Sequence, residues 1–385
     1  MPKRNRNFNH DMTKEEIAKL PTLLDLIDHY LAGEHNMELM QEQSVFMGAF
    51  PTHLQKGLYE PLLMEDGTSI LLPLSPIQHS YYRGESSFHE ECYPSLYRKG
   101  MGDAEIFIER VKRCELELLM KDYPITGIVE SGIQAQDPAG NWHPFFFRIG
   151  YDGMAQHYGI KTEYMDLTLD VWTAAFFAAT TYDYATDTYS PITDTNEHPY
   201  GAFYLYNETP MLPPFDKKQR VDVVGLQPLA RPGRQSGYVF KMEKGENFND
   251  LTQKNLFRHD ARVNELIYNY TNRSNRLFPK ELLNDRIRKR IVEGKNFSKW
   301  SFEEARKRYF PKRSGDELMG YLEGKGIEIR DYNIQWFTEA EKADIIDYWK
   351  AHEREFLDKI RPRWTYHGPI KEVTGKELEE IVEEK

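Results

Sequence analysis

Between Val171 and Tyr182 the chain carries the run VWTAAFFAATTY, apolar nearly all round and of helical length. A helix of that kind is not stable on a surface, so other elements have to enclose it. Around it lie short apolar or alternating runs, HSYYRG, NWHPFFFRI, TEYMDLT, GAFYLY, VDVVGLQPL and SGYVFKME, bounded by Gly, Pro, Asn or Asp as strands are. A second helical pattern, Ala104 to Tyr123, has Phe107, Val111, Leu118 and Leu119 on related faces. Residues 76–292 therefore read as a mixed α/β domain of the α+β class. No long βαβ repeat and no G-x-G-x-x-G points to a doubly wound dinucleotide-binding sheet.

The flanks read differently. Residues 1–75 are expected to form a helical extension: Thr13 and Glu16 make a capping box, and Leu20, Leu24, Ile27 and Leu31 recur at helical spacing until Gly33. A further helical pattern passes through Met37, Met40, Val45 and Met47, and Ser69 to Leu74 breaks the period. Residues 293–385 are expected to be helical again, with caps at Ser301/Glu304, Ser314/Glu317, Thr338/Glu341 and Thr374/Glu377.

Composition removes several classes of protein. Of 385 residues, 40% are hydrophobic and 29% charged, the balance of a soluble globular chain rather than a disordered or fibrous one. Cys92 and Cys114 form no CxxC pair, which favours a reducing compartment. The first residues lack the apolar core of a signal peptide, and the strongest apolar run is far below the ~20 residues that cross a bilayer. A cytoplasmic protein without membrane contact is the expectation.

The net charge of −11 argues against general nucleic-acid affinity. Yet Arg286 to Arg313 holds eleven Lys/Arg against three Glu. That segment either steers a polyanion locally or forms the solvated face of helices. His89-Glu90-Glu91-Cys92 lacks the second His of a zinc protease motif, and no zinc spacing, Walker A, G-x-S-x-G or calcium loop occurs, so no metal is expected.

Three pieces of the middle block resemble the FRG domain. The first is Tyr82-Arg83-Gly84, followed by Pro94-Ser95-Leu96-Tyr97-Arg98. The second is Ala155-Gln156-His157-Tyr158-Gly159, then Thr162, Asp166 and Thr168, completed by Ala174 to Ala178. The third is Arg231, Arg234-Gln235-Ser236-Gly237 and Phe240, with Leu277-Phe278-Pro279 and a basic helix after it. The family usually has Phe at Tyr82, Arg at Glu163 and Trp at Leu167; the exchange at Glu163 replaces a cation by an anion and puts a phosphate contact there in doubt.

More remotely, the same order resembles mono-ADP-ribosyltransferases. These have an aromatic-Arg-Gly strand end, a Ser/Thr strand leading into an Ala-rich helix, and a Glu or Gln on a later strand. The resemblance implies an enzyme that uses NAD as cosubstrate and cleaves its nicotinamide–ribose bond. Its acceptor would be an unknown protein or nucleic acid; the FRG resemblance implies a bacterial setting, of toxin or phage-defence type. Arg83 would hold NAD phosphate or ribose, with Tyr82, Gly84, Gln156 and Tyr158 around the nucleotide. Thr168 would orient its neighbours, Gln235 would accept from a ribose hydroxyl, and His157 and Asp166 would shape the pocket.

The chemistry suits these residue types. An Arg offers a planar fork to phosphate or ribose oxygens, and an oxocarbenium-like ribose gains from hydrogen bonds to its hydroxyls. Gln235 is neutral where the transferases carry a carboxylate, so Asp166 is the alternative source of negative charge. Plainer readings stand beside these. Arg83 pairs with a carboxylate at a strand end, His157 is a structural histidine, Gln235 is strand surface, and Gly159 supplies a turn with positive φ. The rival functions are a nucleic-acid-binding or -modifying protein using residues 286–313, and a non-catalytic interaction module.

Overall fold

The structure is a computed structural model that describes residues 12–43, 59–63, 68–73, 79–136, 142–147, 149–208, 220–224, 229–331 and 334–357. At its centre is a sheet of six strands: β1 (His79–Glu85), β2 (Tyr164–Thr168), β3 (Tyr200–Glu208), β4 (Val221–Val223), β5 (Gly237–Lys241) and β6 (Gln253–Arg258). Their spatial order is β4-β5-β2-β1-β3-β6, with every neighbouring pair antiparallel. β6, whose run QKNLFR has little apolar content, is an edge strand that sequence patterning does not reveal.

Successive side chains of a strand alternate between the two faces of a sheet, and here each face has its own core. Tyr82, Phe203 and Phe257 pack with the enclosed helix Val171–Ala179, with Ile267 of helix Ala261–Tyr270, and with Leu23, Ile27 and Tyr30 of helix Leu23–Gln43. Tyr81, Tyr204, Tyr238 and Phe240 belong to the other cluster, together with Phe107, Val111 and Leu119 of helix Asp103–Asp122. Residues after 293 contribute to that second cluster through Phe297, Phe302, Leu318, Trp336, Trp349 and Phe356. Phe302 and Phe310 meet the ring of Phe107 edge-on, at 5.6 and 5.3 Å between centroids. The buried Glu115 adds a polar tie, accepting from the backbone N–H and the hydroxyl of Ser298.

Several boundaries differ from the sequence expectation. The apolar helix ends at Ala179 rather than Tyr182, because Thr180 turns extended and bonds its hydroxyl back to the Phe176 carbonyl. Thr180–Asp183 then pairs with Thr188–Pro191. The opening segment is not helical throughout, since Tyr59–Leu63 and Ser69–Pro73 form an antiparallel pair. Helix Leu23–Gln43 continues through Gly33, where nothing forces a break; the continuation to Val45 and Met47 falls outside the described residues. The Thr13/Glu16, Ser314/Glu317 and Thr338/Glu341 caps are present. Helix Lys299–Tyr309 is instead capped by Ser298, with Ser301 inside it. The Thr374 cap lies outside the described residues.

Gly84 sets how closely β1 approaches the enclosed helix. A Cβ there would lie 2.0 Å from the Ala174 carbonyl oxygen and 2.8 Å from the Ala178 methyl. Backbone cannot yield by that much without separating strand from helix. Gly84→Ala is expected to cost roughly 2–3 kcal/mol, read as a lowered urea midpoint at unchanged slope.

Candidate functional site

β1 and β2 are neighbours in the sheet but pair at one position, Tyr82 opposite Thr168. Beyond it the ladder stops, and the Arg83 side chain spans the gap. Its Nη1 donates to the Asp166 backbone carbonyl at 2.9 Å, while Nε and Nη2 both donate to Glu85 Oε1 at 2.9 and 2.6 Å. Burial alone would depress the guanidinium's pKa, but Glu85 and Asp166 outweigh it and hold the group above its ordinary value. The plain reading of Arg83 as a paired cation is thus part of the picture. Glu85 two residues along the same strand is its partner.

Around this bridge the polar residues of the two motifs interlock. Gln156 accepts the Thr162 hydroxyl at 2.7 Å and donates to Asp166 Oδ2 at 3.0 Å. The Thr168 hydroxyl donates to the backbone carbonyl of Gln235 at 2.7 Å and accepts from the Asp170 N–H at 3.0 Å, which ties β2 to the cap of the enclosed helix. Gln235 is not on a strand. It ends the short helix Ala230–Arg234, and Ser236, at φ +44°, reverses the chain so that the Gln235 side chain turns inward. Its Nε2 donates to the Leu277 carbonyl at 3.2 Å.

That contact fixes a chain of consequences. The Leu277 carbonyl can only accept, so the amide nitrogen of Gln235 faces it and the amide oxygen faces His157. His157 Nδ1, 3.1 Å from that oxygen, therefore carries the proton. Nε2 is left as an acceptor, 3.5 Å from Asp166 Oδ1. Both atoms are buried and lack a hydrogen-bond partner. Burial lowers the His157 pKa, although Asp166 pulls the other way, so the ring is neutral at pH 7. Gly237 makes room for it: a Cβ there would lie 2.6 Å from His157 Cε1. The arrangement is two acceptors facing one another and able to share one donor. The Asp166 side chain is 38% exposed, which makes it the solvent-facing member of the group.

Arg83, Gln156, His157, Asp166, Thr168 and Gln235 thus meet at one corner of the sheet. The remaining expected ligands of a nucleotide do other work. Tyr82 is 1% exposed and packs against Tyr30 and Phe203, on the side of the hydrocarbon core. Gly84 serves the close contact with the helix. Tyr158 is buried and donates its hydroxyl to Glu281 at 2.9 Å. Gln235, 4% exposed, keeps its oxygen on His157 and its nitrogen on the Leu277 carbonyl, so its side chain is engaged within the protein. Glu163 is paired with Arg110 at 2.7 Å, so it is an internal counter-ion. Gly159 has φ +85° and closes the turn after His157.

Residues 78–187 match the family model of the FRG domain. The chain carries an FRG domain. No curated protein and no solved structure matches it. The FRG match takes in the Arg83 bridge, Gln156, His157, Asp166, Thr168 and the enclosed helix, and it stops short of Gln235. Among the described residues, no cluster of His, Cys, Asp or Glu is grouped to hold a metal, and no helix is long and apolar enough to cross a membrane.

Sequence reasoning missed two partners of the FRG motifs. Glu85 was within reach, because residues two apart on a strand share a face. Glu281 carried no local signal; it lies 123 residues from Tyr158. Burial pushes the Glu281 carboxyl up to about 7, against the Tyr158 hydroxyl and Arg231, which pull it down. Arg231 itself lies over the rings of Phe278 and Tyr158 and donates to Asn284, and its buried Nε has no partner.

Because the folded pKa of Glu281 is raised from 4.5 to about 7, the folded state holds the proton more tightly than the unfolded chain. This contribution is fully present below about pH 4.5 and is lost as pH rises through 7. His157, with a lowered pKa, has the opposite slope, so the two must be separated by mutation. The unfolding free energy of the wild type minus that of Glu281→Gln is expected to fall between about pH 5 and pH 8; a flat difference would contradict it. Gln235→Glu is expected to destabilise by about 2 kcal/mol or more, since an anion replaces the donor to the Leu277 carbonyl; urea unfolding measures it.

Proposed function

We propose that the corner formed by Arg83, His157, Asp166 and Gln235 binds NAD and cleaves its nicotinamide–ribose bond, passing ADP-ribose to water or to another nucleophile. The observation that carries this reading is the pair of buried acceptors, His157 Nε2 and Asp166 Oδ1, 3.5 Å apart without a donor between them. A ribose hydroxyl is a donor of the right size to satisfy both. Arg83 uses three of its five N–H groups within the protein, and the other two suit a phosphate or ribose oxygen.

In this reading the C–N bond to nicotinamide breaks with its electron pair going to the ring nitrogen, which neutralises the leaving group. Positive charge builds on the ribose, and the Asp166 carboxylate, steadied by Gln156, stands beside it. This assigns to Asp166 the electrostatic role that a glutamate plays in the transferases. The attacking nucleophile loses its proton to the neutral His157 Nε2 or to Asp166. Gln235 acts one step back, by holding the histidine in the tautomer that leaves Nε2 free. The order of the motif residues along the chain, similar to that of ADP-ribosyltransferases, supports the same class.

A second reading, a polar core beneath a non-catalytic interaction surface, is favoured by the pairing of Arg83 with Glu85 and with the Asp166 carbonyl. Two variants separate them. The wild-type chain, incubated with NAD, is expected to release nicotinamide, resolved by chromatography, and to give binding heat in calorimetry. Asp166→Asn is expected to keep its melting temperature while losing ~10²-fold or more in rate, and Arg83→Ala to weaken NAD binding while remaining folded. Intact NAD with no binding heat overturns the proposal, and collapse of Arg83→Ala supports the structural reading.

A further inference from the structure

The basic stretch Arg286–Arg313 is less charged in the fold than in the sequence. Arg286 pairs with Glu341, Arg288 with Glu293 and Asp187, Arg306 with Glu303, Arg308 with Glu117 and Glu304, and Arg313 with Asp103 and Glu317. Five of its eleven cations are thereby neutralised. The exposed Lys289, Arg290 and Lys295 have no carboxylate partner among the described residues; Arg290 lies over the Trp336 ring, and Lys295 reaches the Lys325 carbonyl at 3.4 Å.

These three cations converge. Arg288–Val292 forms a π-helical turn, a rare geometry found mostly as single turns within helices and frequently at functional sites. Gly294 then lets the chain double back so closely that a Cβ there would lie 2.0 Å from the Arg290 carbonyl oxygen. The next residues, Asn296–Ser298, pair in parallel with Glu328–Arg330, which brings Arg330 alongside. Lys289, Arg290, Lys295, Asn296, Arg330 and Asp331 line an open hollow of about 600 Å³. Four cations face it against one carboxylate, and Arg330 is shared with Glu328 at 2.6 Å.

The lining has no aromatic or aliphatic side chain. A base or an apolar ring would find no aromatic or aliphatic platform there, whereas phosphate oxygens would find three Lys/Arg groups not committed to a carboxylate and an Asn amide. We propose that this hollow binds consecutive phosphate groups of a nucleic-acid backbone, without regard to base sequence. It is a site additional to the Arg83 corner, and its binding does not depend on NAD.

The test is anisotropy of fluorescein-labelled oligonucleotides with the full chain, NAD left out. Single-stranded DNAs of different base composition are expected to bind alike, with a log–log salt slope near −2 to −3 for three to four phosphate contacts. The double variant Lys289→Glu/Arg290→Glu, both exposed positions, is expected to bind more than tenfold more weakly while its melting curve is unchanged. Charge reversal at the exposed Lys350, which does not line the hollow, should leave binding as it was. The proposal is overturned by no binding at low salt, by a flat salt response, by a double variant that binds as the wild type does, or by binding of inorganic polyphosphate with none of oligonucleotide.

Discussion

The Arg83 guanidinium substitutes for a missing stretch of sheet. β1 and β2 share one residue pair and then part, and a sheet interrupted in this way leaves carbonyls without ladder partners, which is costly when they are buried. Arg83 satisfies one of them, that of Asp166, and neutralises its own charge on Glu85. Because the cation bridges the gap, the Asp166 side chain can face the corner while its backbone stays bonded. Gln156, His157 and, through His157, Gln235 are then arranged around that carboxylate. The interruption in the ladder and the cluster of functional groups are one feature.

Much of this was legible in the sequence, for physical reasons specific to each element. The run from Val171 announces a buried helix because no polar face exists to meet water. β1, β2, β3, β4 and β5 each overlap a run whose alternation or apolar content signals a strand. The identities of the corner residues also followed from motif order, since they lie on neighbouring strands and the turns that feed them. What the chain did not disclose were contacts made by polar atoms across long separations. The pairing of Tyr158 with Glu281 and of Glu115 with Ser298 leaves no periodic trace. Gln235 was displaced in the reading because Arg231-Pro232-Gly233-Arg234 looks like a turn before a strand, whereas in the fold it coils into a helix that ends at Gln235.

Buried charge is used in this molecule for attachment as well as for any chemistry. Helix Asp103–Asp122 carries Arg110, Arg113, Glu115 and Glu117 in buried positions, each with a partner from another element or turn. Glu117 is held low, to about 2, because Arg308, Lys121 and Arg113 together overcome the effect of its burial. An apolar-stripe view of that helix therefore captures half of what binds it. The polar half joins it to the Glu163 turn, to Asp152 and to the residues after 293, and it consumes cations that the composition alone would assign to a ligand.

The facing acceptors at His157 and Asp166 also bear on acidity under the proposed function. A hydrogen ion on Nε2, which burial resists, would take the place proposed for a ligand's hydroxyl. Under the function proposed above, a sugar hydroxyl and a hydrogen ion would compete for the one gap between these atoms, so that association there would displace protons into the surrounding buffer.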